Sequence, residues 1–87
     1  MENHETRIKR LRMRSWRRGT KEMDLILGNF ANDVLAELDP GALDAHESLI
    51  AEGDNQLYDW ISGRTPAPSE HIPAIERVLA YLSARSF

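Results

Sequence analysis

An all-α fold, a single small five-helix bundle, follows from three features of the sequence. Apolar residues recur at three- and four-residue spacing in five stretches, and no stretch of the 87 residues keeps the period-two alternation of a half-buried strand. Glycine, proline and capping residues punctuate the stretches at short intervals. Short connections make the helices pack on their neighbours, and 87 residues suffice for one domain with flexible ends but not for two.

The first helix is expected at about residues 5–16. Ile8 and Leu11 share one face, and Arg7, Arg10, Arg14 and Arg17 form a basic stripe beside it. Trp16 lies roughly 110° from that apolar direction at 100° per residue. Either the helix has ended by Trp16, or Trp16 is a partly exposed aromatic beside arginines. Gly19 breaks the helix in the manner of a left-handed C′ residue. Thr20 is placed to cap the second helix, with Glu22 and Asp24 in its first turn, where the helix dipole favours carboxylates. Its stripe is Met23, Ile26, Leu27, Phe30 and Val34; Leu25 and Gly28 suggest a second packing surface on the other side.

Asp39-Pro40 reads as an N-cap followed by proline at the first helical position. The third helix carries Leu43, Leu49 and Ile50 and stops near Gly53. Asp54 is then expected to cap a short fourth helix bearing Leu57, Tyr58, Trp60 and Ile61, which Gly63 ends. Residues 62–68 form a rigid connector. Ser69 offers a cap for the last helix, with Pro73 delaying its start, and the last stripe is Ile72, Ile75, Val78, Leu79 and Leu82.

Composition removes several function classes. With no cysteine, disulfide scaffolds, thiolate metal sites and Cys nucleophiles are excluded. His4, His46 and His71 share no metal-ligand spacing, and His46 reads as a helix-surface or boundary residue. No nucleophile elbow, phosphate loop or supported pair of carboxylates is present, so no catalytic residue is assigned. No apolar run approaches the ~18 residues of a membrane span, and no apolar segment of a secretory signal follows the start. The Arg-rich start resembles a transit peptide, but Glu2 and Glu5 interrupt it and structured sequence follows at once. A bacterial cytoplasmic protein is the expectation.

Charge is unevenly laid out. Residues 1–21 carry eight basic side chains against Glu2 and Glu5, a surplus of +6, while residues 22–87 carry −9. The basic end therefore suits an acidic partner. A small helical nucleic-acid-binding protein using the basic first helix is one reading. Against it, the basic stripe is not on a second helix behind a tight turn, the remainder is acidic, and Glu22 and Asp24 directly follow the arginines.

The densest feature is Trp16-Arg17-Arg18-Gly19-Thr20-Lys21-Glu22-Met23-Asp24. A structural corner accounts for Gly19 and Thr20. It accounts less well for two arginines, a tryptophan and two carboxylates at one place, since Trp and Arg are the types most enriched in interface hot spots. Both readings, corner and interface, stand on the residues alone.

Arg18-Gly19-Thr20-Lys21-Glu22 matches the R-G-x-x-E signature of the flavinylation factors SdhE, called succinate dehydrogenase assembly factor 2 in mitochondria. Met23 to Gly28 resembles that family's E-x-D-L-x-L-G helix, and Asp54 to Gly63 resembles its D-x-x-L-Y-x-W-L-x-G block, with Ile61 in place of a common Leu. The similarity spans about residues 7–82 and is poorest in the middle helix. It implies a five-helix, non-enzymatic factor. Such a factor binds the flavoprotein subunit of succinate dehydrogenase, and in bacteria often that of fumarate reductase, and promotes covalent attachment of FAD to a histidine there. FAD would belong to the client and not be held firmly by the factor, which would be a monomer when free, without nucleic acid or membrane as partner. Carried over by motif, the partner-binding positions are Arg18, Gly19 and Glu22, with Arg17 and Asp24 beside them.

Overall fold

The computed structural model describes residues 2–85. Five α-helices follow one another, α1 (His4–Trp16), α2 (Lys21–Val34), α3 (Pro40–Ile50), α4 (Asp54–Ile61) and α5 (Ile72–Ala84), with no strand among the described residues. Single 3-10 turns at Leu35–Glu37 and Ser69–His71 follow α2 and precede α5. The flexibility expected of the extreme ends concerns residues 1, 86 and 87, which lie outside the described residues; Glu2 is bonded to the Arg10 guanidinium at 2.8 and 2.9 Å.

Local chemistry sets the boundaries. The Asn3 side chain accepts from the Thr6 N–H at 2.8 Å and starts α1. Thr20 accepts from Met23 at 3.3 Å, and Asp39, ahead of Pro40, accepts from Ala42 at 2.8 Å. At the end of α4, Gly63 has φ +80°, its N–H reaching the Trp60 carbonyl at 3.3 Å while Arg64 reaches Asp59 at 2.8 Å. This paired return is a Schellman motif, and it needs a residue without Cβ in the left-handed region.

The core is one cluster to which every helix contributes: Ile8 and Leu11 from α1, Met23, Leu27 and Phe30 from α2, Leu43, Leu49 and Ile50 from α3, Leu57 from α4, Ile75 and Val78 from α5. Three expectations are corrected. Gly19 is not left-handed, because Gly63 is the only glycine with positive φ among the described residues. Asp54 does not cap α4; Gly53 occupies that position without a side-chain bond, and the Asp54 carboxylate is turned elsewhere. His46 is buried, since it falls on the stripe Ala42, Leu43, His46, Leu49, Ile50 that α3 presents to the core.

The last helix differs from its expected stripe. Ala74, Ile75 and Val78 are buried, whereas Ile72 and Leu79 face solvent. Pro73 does delay the start, and Ser69 makes no side-chain cap.

Trp16 is the final residue of α1 and half-buried, with its indole N–H donating to Asn32 at 3.2 Å. The ring lies flat against Gly28, where a Cβ would come within 2.2–2.5 Å of the indole carbons. Gly28 is thus part of the α1–α2 contact, while Leu25, expected beside it, is exposed. Gly28→Ala gains helix propensity but displaces the indole, and overpacking of this kind costs about 1–3 kcal/mol. The expected result is a lower melting temperature with a red-shifted Trp16 emission; an unshifted spectrum and an unchanged or higher melting temperature would refute it.

Candidate functional site

The corner between α1 and α2 is built around Arg18. Its side chain is 10% exposed and makes three bonds: Nε to Asp54 Oδ1 at 2.8 Å, Nη1 to the Ile50 carbonyl at 2.6 Å and Nη2 to the Glu52 carbonyl at 2.8 Å. The first carbonyl ends α3, where carbonyls lack helical partners and the dipole favours a cation, and the second lies in the turn that follows. A planar guanidinium reaches both and the carboxylate together.

The backbone completes the lock. Arg18 N–H donates to Asp24 Oδ1 at 2.7 Å, and Gly19 N–H donates to Asp54 Oδ2. Each oxygen of Asp54 is therefore engaged, one by the Arg18 side chain and one by the Gly19 backbone. A Cβ on Gly19 would stand 2.8 Å from Asp54 Oδ2, so a side chain here would push the carboxylate away from the Gly19 N–H.

Of the five residues singled out from sequence, the structure brings Arg18, Gly19 and Asp24 together as an internal lock and leaves Arg17 and Glu22 outside it. Both are exposed, and neither side chain has a hydrogen bond or ion pair to another described residue. Glu22 stands between two open surface grooves. One is polar, with Thr20, Asn55, Tyr58 and Asp59; the other is apolar, with Leu25, Ile26 and Leu82. Sequence reasoning missed Asp54 as the partner of Arg18. The signal was the carboxylate opening the second motif block, which a capping role had already explained.

Beneath the corner lies His46. Its Nε2 is 3.0 Å from Ser15 Oγ, and the ring stacks on Phe30. Ser15 donates its own proton to the Leu11 carbonyl at 2.7 Å, so Ser15 accepts from His46 Nε2–H, and Nδ1 is the bare acceptor left without a partner. Burial first, and the nearby Arg18 charge second, push the imidazole down to about 4 against a weaker opposing pull from Glu47. The folded state thus holds the neutral ring while the unfolded chain protonates near 6.5. This stability is complete above pH 6.5 and is lost as pH falls towards about 4, by about 3 kcal/mol. Thermal melts of the wild type should decline from pH 7 to 5, and His46→Gln should flatten that interval. Parallel curves for the two proteins would show that another group titrates.

Among the described residues, no group of three His, Asp or Glu could hold a metal ion, and no helix is long and apolar enough to cross a membrane. The family model described as "flavinator of succinate dehydrogenase" matches residues 9–85. The chain belongs to that family. It is 32% identical over 79 residues to the FAD assembly factor SdhE of Acetobacter pasteurianus, a match covering 90% of this chain and 72% of the relative. It is 38% identical over 68 residues to the mitochondrial succinate dehydrogenase assembly factor 2 of Mycosarcoma maydis, covering 78% of this chain and 29% of that one. The Schizosaccharomyces pombe counterpart is 33% identical over 69 residues, covering 79% and 50%. The chain thus spans half or less of these two mitochondrial flavinator-family relatives. No solved structure matches. The matched span contains the whole corner, Asp54 included.

Proposed function

We propose that this chain is an assembly factor that binds the flavoprotein subunit of succinate dehydrogenase and promotes covalent attachment of FAD to it. The observation that carries the reading is the division of labour in the corner. Arg18, Gly19, Asp24 and Asp54 are mutually bonded, and this rigid frame presents Glu22 to solvent with no internal partner. An unpaired carboxylate on a held backbone is suited to a charged client group and sets its register.

The factor itself performs no covalent chemistry in this reading. It binds one arrangement of the client better than others and shifts the client population by that difference in affinity. Holding the client's histidine near the flavin accelerates bond formation through positioning alone. FAD stays with the client, and the grooves beside Glu22 meet the client surface. The fumarate reductase flavoprotein is a second client, the free factor is monomeric, and the likeness to the Acetobacter factor favours the bacterial cytoplasm.

The nucleic-acid reading is weakened by the partners of the basic stripe. Arg7 is bonded to Asp44 and Glu47 at 2.6 and 3.0 Å, Arg10 to Glu2 and Glu47, and the neighbouring Arg18 to Asp54. Three of the eight cations of residues 1–21 are thus neutralised, and the acidic remainder of the chain opposes phosphate, so duplex binding should be weak and nonspecific.

The test uses cells that lack their own factor and express the flavoprotein subunit. Supplying this chain should restore in-gel fluorescence of covalent flavin on the denatured subunit, and tagged chain should capture that subunit. Neither capture nor restored fluorescence, with the chain well expressed, would overturn the proposal. Tight sequence-dependent DNA binding at physiological salt would put the other reading in its place.

A further inference from the structure

The outward face of α1 carries a second surface that runs up to the signature corner. Along the arginine stripe, neutralisation is uneven. Arg7 and Arg10 are held by Asp44, Glu47 and Glu2, but Arg14 only approaches Glu47, at 4.0 Å, with 44% of its side chain exposed. Arg17, one turn on, is exposed, and its side chain has no partner among the described residues.

Met13 lies beside these two arginines on one shallow shelf, with Arg10 and Arg18 at its margin. At 54% exposure it is the most exposed of the large apolar side chains described. Arg17 caps the end of α1, four residues after Met13 and three after Arg14, and its side chain joins theirs along the shelf. A flexible thioether suits an irregular apolar contact, and arginines are enriched at the centres of interfaces.

Resting on the assembly-factor reading, we propose that this shelf docks an acidic segment of the flavoprotein client. Client carboxylates pair with Arg14 and Arg17, and an apolar client side chain covers Met13. Charge complementarity selects the occupant. Two guanidinium groups match two carboxylates bidentately, whereas a phosphate backbone following α1 would meet Glu47, Asp44 and Glu2 at once. The shelf adjoins the corner through Arg17-Arg18, so one client surface could engage both.

The experiment measures binding of purified full-length chain to the apo flavoprotein subunit of succinate dehydrogenase at low and physiological salt. Wild-type affinity should weaken as salt rises. Arg14→Glu combined with Arg17→Glu should bind about 10- to 100-fold more weakly, mostly through slower association, and lose most of the salt dependence. Arg17→Gln, which removes no described internal bond, should give a smaller drop of the same kind at an unchanged melting temperature. Met13→Ala should weaken binding and keep the salt slope. Unchanged affinity and slope in both charge variants, with wild type bound, would overturn the shelf and leave the proposed function standing. No binding by wild type would remove the proposed function, and the shelf with it. Salt-sensitive DNA binding that the charge variants abolish, with client binding intact, would reassign the shelf to nucleic acid.

Discussion

Arg18→Ala should cost about 3–5 kcal/mol of folding stability, a large share of what a domain of this size possesses. The substitution removes three bonds at once. It leaves the Asp54 carboxylate, 16% exposed, with the Gly19 N–H alone, and leaves the Ile50 and Glu52 carbonyls without their shared donor. Part of the penalty is the partly buried Asp54 carboxylate left without its counter-charge, and part is the unpaired carbonyls. Arg18→Lys should recover only part of it, because an ammonium cannot serve a carboxylate and two carbonyls from one plane. Denaturant titration measures the effect, and an unchanged midpoint for Arg18→Ala would refute it. Loss of covalent flavin with Arg18→Ala in cells is then expected from unfolding, without any contact between Arg18 and a client.

Glu22→Ala should behave in the opposite way. Its carboxylate sits in the first turn of α2, where it complements the helix dipole by ~0.3–1 kcal/mol at most. The melting temperature should therefore stay close to that of the wild type. Under the assembly-factor reading the same change removes one side of a desolvated charged pair and costs about 2–5 kcal/mol of client binding. Covalent flavin on the client should fall to the level of cells without the factor, at wild-type abundance of the variant. Full flavin at that abundance would remove Glu22 from the site. Two positions of one five-residue signature are thus expected to fail for different reasons, and a stability measurement beside the flavin assay separates them.

Much of the helical framework was legible because it is set locally. Thr20, Asp39-Pro40 and Gly63 act within four residues of themselves, and the structure finds each in the expected role. Residues whose role depends on a distant partner were misread. Asp54 has the residue type and place of a cap, but Arg18 and Gly19, 36 and 35 positions away, claim both of its oxygens. Gly19 was assigned a turn conformation when its actual constraint is that carboxylate. His46 stood on the apolar stripe of α3 throughout; its polarity hid the periodicity, and the compensating Ser15 hydroxyl lies 31 positions off. The candidate site divides likewise. Exposure of Glu22 and Arg17 agrees with an interface, while the inward turn of Arg18 required the α3–α4 junction to be in place.

That junction gives the corner a built-in order of assembly. The bonds of Arg18 close a loop of more than thirty residues, so the entropy of bringing its ends together must be met before they form. Until α3 and α4 have docked, Gly19 has no carboxylate to hold it, and only Asp24 and the Thr20 cap orient the entry to α2. The surface carrying Glu22 is then finished only when the whole domain is finished. Under the assembly-factor reading, a newly made or partly melted chain would present no competent face and would withhold itself from its client until its own folding was complete.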